Sequence, residues 1–289
     1  GSQTMRNHVI SLYDFTGEAL RPWAEAGYQC FAYDIQHKPS PMGKMQPSDV
    51  NSFVGGGNIF YIHADLYDPK TSLKIIARHN NKVTFLSAFP PCTDLAVSGA
   101  VWWKKKGEAN PDFQTEAASH VERCSMVGDA FDCSYYIENP IGALSRLWRK
   151  PDHKFDPCDF GGYLSKDDVH PRWPEIIPPR DAYRKKTCLW VGNRFKMPTH
   201  KQVDHETVVF DRKDPKKGKN YSPVTGKTGG KSQRTKNIRS ATPRGFAKAV
   251  FLANAMMEKD GDQDIRSWNY FNPARQFVSW MEGITSKVV

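Results

Sequence analysis

Cys92 and Glu138 put a thiol and a carboxyl group at the ends of two short apolar runs, VTFLSA at 83–88 and CSYYI at 133–137. A nucleophilic sulfur and a proton-bearing carboxyl brought together suit covalent attack on a ring whose nitrogen must be protonated. The thiol follows Pro90-Pro91, which fixes two φ angles and stops strand pairing, so Cys92 is presented on a stiff turn. The carboxylate opens Glu138-Asn139-Pro140, again at a strand end. Taken singly, Cys92 also reads as a small buried residue and Glu138 as a capping or ion-paired acid.

A second set of groups is acidic. Asp14, Asp34 and Asp65 each fall at or just after the end of an apolar run. Strands that end in acceptors along one sheet edge suit a cationic nucleoside: ribose hydroxyls to Asp34, an adenine amino group to Asp65, a positive centre near Asp14. S-adenosylmethionine has those features. Each Asp also reads alone as a cap on the segment that follows it. The first turn holds only Gly17 and lacks the GxGxxG pyrophosphate fingerprint, and Asp14 would repel phosphate. That disfavours a dinucleotide-dependent oxidoreductase.

The elements that must position these groups read as α/β. Residues 8–14 form a β-branched strand, 18–27 a helix with Leu20, Trp23 and Ala24 on one face and Gly27 at its C-terminal end, and 28–34 a second strand. This is the mononucleotide-binding half of a Rossmann-like fold. A Gly/Ser/Pro-rich link over 38–58 leads to a strand at 59–62, and the run 83–88 has the near-continuous apolar character of a strand buried on both faces. Residues 93–112 read as a long polar loop carrying Trp102-Trp103 beside Lys104, Lys105 and Lys106; the tryptophans suit either base stacking or the core. Residues 113–131 have helical spacing, 133–140 strand character, and 142–183 no long period. An apolar strand enters at 184–192, a helix starts at Thr242-Pro243, and a final helix carries Trp268, Tyr270, Phe271, Phe277 and Trp280.

Charge is uneven. The 289 residues carry a formal +10, and residues 211–239 alone hold ten Lys/Arg against two Asp, a net of +8. Such a segment points to a polyanion such as nucleic acid, or is a solvated basic loop. No apolar run is long enough to span a membrane and no basic-then-apolar leader is visible. The six scattered cysteines contain no CxxC pair, which fits a reducing cytoplasm. Cys158, Cys188, His170, His200 and His205 match no zinc spacing, so no metal is expected.

Together these pieces resemble the DNA (cytosine-5) methyltransferases, in the compact form carried by bacteriophages. The resemblance lies in Ser11 to Gly17, Asp34, Asp65, FPPC at Phe89 to Cys92 and ENP at Glu138 to Pro140, in that order. RKKTCLWVG at 184–192 looks like the family's QxRxR strand, with Lys185 and Thr187 at its arginine positions. SATPRGFAKAVFLAN at 240–254 looks like its closing helical motif, and Pro140 stands where valine is usual.

The resemblance implies a Rossmann-like S-adenosylmethionine-dependent methyltransferase sheet with a small irregular basic DNA-recognition region. The catalytic domain would span 5–150, the recognition region 151–240, and helices packing back on the core 241–289. It implies Cys92, Glu138 and Lys185 as catalytic residues. Cofactor contacts would come from Tyr13, Asp14, Phe15, Gly17, Asp34, Ile35, Asp65, Leu66 and Pro90. Contacts to double-stranded DNA would come from Ser98, Trp102, Lys104, Lys105, Arg234, Lys236 and Arg239, with the target base flipped out of the duplex and the 93–112 loop closing behind it. The protein would be a monomer. Two rivals are an enzyme modifying C5 of a free pyrimidine nucleotide and a non-catalytic DNA- or cofactor-binding decoy of the same fold.

Overall fold

A computed structural model describes residues 6–39, 58–210 and 219–255. In chain order the elements are β1 (His8–Leu12), α1 (Arg21–Glu25), β2 (Gln29–Asp34), β3 (Asn58–His63), α2 (Pro69–Arg78) and β4 (Val83–Ala88). After a 3-10 turn at Val97–Trp102 come α3 (Trp103–Ala109), α4 (Phe113–Phe131), β5 (Ser134–Pro140), α5 (Leu144–Leu147), β6 (His153–Phe155) and β7 (Thr187–Gly192). The chain closes with β8 (Val208–Phe210), β9 (Lys219–Tyr221), α6 (Pro223–Gly226), α7 (Gln233–Ser240) and α8 (Arg244–Ala255).

Seven strands build one sheet in the order β3-β2-β1-β4-β5-β7-β6. β1 to β5 are mutually parallel, while β7 runs antiparallel to both β5 and β6. Burial explains the strand sequences. Every residue of β1 and β2 is buried, as expected where helices cover both faces. Alternate side chains divide between the faces. Ile10, Leu12, Phe31 and Tyr33 join Ile75 of α2 and Val121, Cys124, Val127 and Phe131 of α4. Val9, Cys30, Ala32 and Phe85 join Trp23 of α1 and Phe246, Ala249 and Val250 of α8. The result is three layers, helix–sheet–helix.

Local signals set the helix ends. Asp68 caps α2 by accepting from Lys70 N, with Pro69 in the first turn. α4 covers the residues its apolar spacing predicts and ends on Asp132 in the left-handed region (φ 49°). Gly27 (φ 100°) turns the chain out of α1 into β2.

Several expectations change. Residues 93–112 are not a polar loop: the 3-10 turn and α3 occupy most of them, anchored by buried Leu95 and Ala96 and by Trp103 packing on the core. The two tryptophans split, Trp103 going inward while Trp102 stays 51 % exposed. The basic 201–240 region holds the β8–β9 hairpin but also α7, a helix the sequence reading did not include. The sheet also runs through the expected boundary at residue 150, because β6 and β7 complete it. The link at 38–58, much of the basic run at 211–218 and the final helix after Asp260 fall largely or wholly outside the described residues.

Candidate active site

The strand order reverses between β1 and β4, and in open α/β sheets ligands bind at the carboxyl ends of the strands beside such a reversal. Tyr13 to Gly17 leave the end of β1 there, and Phe89 to Cys92 leave the end of β4.

The Cys92 turn and the segment after β5 are zipped together. Ala88 pairs with Ile137, so Pro90 comes level with Asn139, whose buried amide Nδ2 donates to Pro90 O at 2.9 Å. Val97 N donates to Ile141 O at 3.0 Å, Ala143 N to Leu95 O at 2.8 Å, and Ala96 bridges Gly142. A Cβ on Gly142 would lie 1.8 Å from Leu95 O, so only glycine permits this approach. The Cys92 carbonyl accepts from Leu95 N and Ala96 N, which closes the turn that carries the thiol. Cys92 and Glu138 are thus delivered by adjacent strands whose exits are fastened to each other.

Lys185 arrives from the opposite direction. Because β7 is antiparallel, the residues leading into it lie at the carboxyl end of β5, where Pro140 pairs with Thr187. Lys185 N donates to Asp156 Oδ1 at 2.9 Å, and its ammonium donates to the carbonyl of Arg239 at the end of α7. Burial pushes the Cys92 thiol up; the Lys185 charge pulls it down and the Glu138 charge pushes it up again. The Glu138 carboxyl is also raised by burial and lowered by Lys185. Glu138 Oε1 is enclosed without a hydrogen-bond partner.

The two groups open into different spaces. Cys92 lies in a cleft of about 630 Å³ walled by Ser98, Trp102 and Lys105 on one side and Lys231, Thr235, Lys236 and Arg239 on the other. Glu138 faces a cavity of about 10 Å³ formed with Lys185, Thr187, Ser240, Thr242 and Phe246. The two share no lining residue, and the second holds at most a single water. The end of α7, through Arg239 and Ser240, stands where the two meet. A pyrimidine that reaches both groups therefore requires that end to move.

The acids at the other strand ends behave unequally. Asp14 has both oxygens engaged within the loop, one accepting from Gly17 N at 3.0 Å and one from the Ser11 hydroxyl at 2.6 Å. It is 4 % exposed and its carboxyl is raised by burial, so it shapes the loop instead of facing a cation. Asp34 accepts from Gln36 N at 2.8 Å, and Asp65, which is exposed, accepts from Tyr67 N at 3.0 Å. All three do perform local capping. Ile35 beside Asp34 is 59 % exposed, an apolar surface next to an acceptor. The Leu66 side chain is core, and its carbonyl accepts from the Tyr13 hydroxyl at 3.3 Å and from Arg123. Pro90 is buried and contributes through its carbonyl. Phe15 stacks on His37, which the sequence did not single out; His37 Nε2 pairs with Asp14 O at 3.0 Å. Gly17 (φ 73°) takes a left-handed backbone that strains other side chains, and a Cβ there would sit 2.6 Å from the Tyr61 hydroxyl.

Among the expected DNA contacts, Ser98, Trp102, Lys105, Lys236 and Arg239 converge on the Cys92 cleft. Lys104 is exposed but does not line it, and Arg234 is ion-paired with Glu175 at 3.2 Å. The Arg239 guanidinium is tied to Thr228, at 2.8 Å to its hydroxyl and 2.9 Å to its carbonyl. Lys231, unremarked in the sequence beyond its charge, holds its ammonium 5.1 Å from the Trp102 ring centroid. No group of three or more His, Cys, Asp or Glu among the described residues is placed to hold a metal ion; His170 instead accepts from Arg172 N and Trp173 N. No helix among the described residues is long and apolar enough to cross a membrane.

Neither protein-family models nor curated proteins match this chain.

Proposed function

We propose that this protein is an S-adenosylmethionine-dependent DNA methyltransferase acting on C5 of cytosine. The observation that carries the reading is the fastened pair of strand exits, which brings a thiol and an unpartnered carboxyl under one lysine beside a basic cleft. The antiparallel β7 between β5 and β6 also sets the sheet apart from the 3-2-1-4-5-6 order of dinucleotide-binding folds.

The cofactor suits the rim. Asp34 offers an acceptor for ribose hydroxyls, Ile35 and the half-buried rings of Tyr13 and Phe15 offer apolar faces for a purine, and exposed Asp65 suits its amino group. The Asp14-organised loop holds those rings in place. When bound, S-adenosylmethionine supplies an electrophilic methyl group on a sulfonium sulfur.

The chain's own residues activate the base. Cytosine C5 is a poor nucleophile. With the end of α7 moved aside so that one ring reaches both groups, Cys92 thiolate adds to C6 while Glu138 donates a proton to N3, so the ring's electrons are pushed toward C5. After C5 has been alkylated, loss of its proton and expulsion of the Cys92 thiolate restore the aromatic ring. Lys185 stabilises the thiolate before attack and, by favouring the Glu138 carboxylate, assists transfer of the Glu138 proton to N3; N3 returns that proton to Glu138 as the ring becomes aromatic again. A base in a duplex must leave the stack to reach Cys92, and the lysines of the cleft walls suit the flanking phosphates.

DNA containing 5-fluorocytosine tests the reading, since fluorine at C5 blocks the final elimination. Wild type is expected to form a covalent adduct in the presence of S-adenosylmethionine, and Cys92→Ala none. Absence of both adduct and label transfer from tritiated S-adenosylmethionine, across DNA of varied sequence, would overturn it. Activity confined to a free pyrimidine nucleotide would replace it with the nucleotide-modifying alternative.

A further inference from the structure

The end of α7 stands between Cys92 and Glu138, and polar bonds hold it there. The Lys185 ammonium donates to the Arg239 carbonyl, while the Arg239 guanidinium donates to the hydroxyl and the carbonyl of Thr228, at 2.8 and 2.9 Å. The body of the helix is anchored elsewhere. Its buried residues are Thr235 and Ile238, and Ile238 belongs to a small core with Ile176, Ile177, Tyr183 and Val224 that takes in no residue of the seven-stranded sheet. Arg239 and Ser240 are exposed, and Ala241 N reaches Ile238 O only at 3.4 Å. The last turn can therefore shift while that core stays in place.

The guanidinium that holds this turn also lines the Cys92 cleft, together with Lys105, Lys106, Lys231 and Lys236, and no carboxylate is among the lining residues. Its present partners are two neutral oxygens of one residue. A phosphate adds a negative charge to such a pairing and accepts from the guanidinium fork with two oxygens, which makes it the stronger partner. A phosphate seated in the cleft thus competes directly with Thr228 for Arg239.

We infer that the Arg239–Thr228 contact is a latch that keeps Glu138 shut away from Cys92 until a backbone phosphate takes Arg239, and that it makes the protein select polymeric nucleic acid over a free pyrimidine. The inference rests on the function proposed above and adds the condition under which its two groups meet. Release of the last turn also frees the Lys185 ammonium from the Arg239 carbonyl, so the charge that favours the thiolate becomes available at the same moment. Thr228 is a positioning residue: it touches no reacting atom and acts through Arg239 and the end of α7.

The test uses full-length protein, S-adenosylmethionine and two substrates: duplex DNA containing 5-fluorocytosine, and the free nucleoside 5-fluoro-2′-deoxycytidine, which carries no phosphate. Wild type is expected to form adduct on the duplex and little on the nucleoside. Thr228→Val removes one of the two acceptors and is expected to raise the adduct rate on the nucleoside by about tenfold, roughly what one hydrogen bond to a charged group is worth. Its rate on the duplex is expected to stay at the wild-type value, and Thr228→Ser, which keeps the hydroxyl, is expected to match wild type on both substrates. An abasic oligonucleotide, all phosphate and no base, is expected to speed wild type on the nucleoside and to leave Thr228→Val little changed. Damage to the fold does not produce a gain of rate. Hydrogen exchange reads the latch without chemistry: the amides of residues 239–242 are expected to exchange faster in Thr228→Val, and in wild type carrying the abasic oligonucleotide. Equal nucleoside rates for Thr228→Val and wild type, from proteins active on the duplex, would overturn the latch. So would exchange that neither the substitution nor the oligonucleotide alters. Failure of wild type to form adduct on the duplex would instead refute the methyltransferase reading, and the exchange measurement would still judge the latch.

Discussion

The bond from Asn139 Nδ2 to Pro90 O is the most economical place to probe how the site is held. Asn139→Ala removes the donor and leaves the Pro90 carbonyl enclosed at a point where Pro91 has no N–H to offer. An orphaned buried acceptor of this kind costs about 1–3 kcal/mol. Spread over the whole fold, that lowers Tm by roughly 2–5 °C for a chain of this size. Spent instead on positioning Cys92, the same energy slows adduct formation by about 5- to 150-fold. The assay pairs thermal unfolding with the single-turnover rate of adduct formation on 5-fluorocytosine DNA, measured well below Tm. Asn193 provides the control. Its Nδ2 donates to Cys133 O at 2.6 Å, beside the other end of β5, so Asn193→Ala is expected to cost stability with no loss of rate. Should Asn139→Ala destabilise the protein while the rate holds at the wild-type value, the fastening of the two exits has no part in aligning the thiol.

Ionisation offers a second check. Both Cys92 and Glu138 titrate above their usual ranges, and the reactive form needs thiolate with protonated carboxyl. With the carboxyl the stronger acid, kcat/KM rises with pH up to the Glu138 value, stays level, and falls above the Cys92 value. Glu138→Gln is expected to abolish the falling limb, and Lys185→Met to move both limbs to higher pH. Gly17→Ala forces a side chain into a left-handed backbone 2.6 Å from the Tyr61 hydroxyl; calorimetry is expected to show S-adenosylmethionine binding weakened by about tenfold or more, from strain of about 1–3 kcal/mol. Asp181, 1 % exposed and accepting from Gly245 N, has its carboxyl pushed up to about 6 by burial. Its raised value means the folded state holds the proton more tightly, so its contribution to stability is present at pH 4 and below and is lost as pH rises through 6. Denaturation of Asp181→Asn is expected to show a shallower loss between pH 4 and 7, by on the order of 3 kcal/mol.

Much of the frame was legible because burial leaves a period. β4 spans Val83–Ala88 and α4 spans Phe113–Phe131, as their apolar spacing predicts, and the acids and prolines marked where the strands end. Helix α7 escaped because only Thr235 and Ile238 of its eight residues are buried, too few to set a period. Gly99 and Gly107 masked the 3-10 turn and α3 in the same way. The engagement of Asp14 by Ser11 and Gly17 was not legible, because such a carboxylate looks, in sequence, like one awaiting a ligand. The partition of Cys92 and Glu138 between two cavities depends on where α7 comes to rest, which no local pattern encodes.

The reversed course of β7 has a bearing on how this chain can vary. After β7 the chain first stays on the body, with Phe195 against Phe85 and Tyr136; the excursion through β8, β9, α6 and α7 then adds to neither sheet-face core, and α8 returns with Phe246 stacked on Phe155 at 4.2 Å. Lengthening, trimming or exchanging that excursion shifts no strand register and disturbs neither core. The far wall of the cleft is thereby free to diversify, while the thiol, the carboxyl and the rim beside them stay where the first five strands put them.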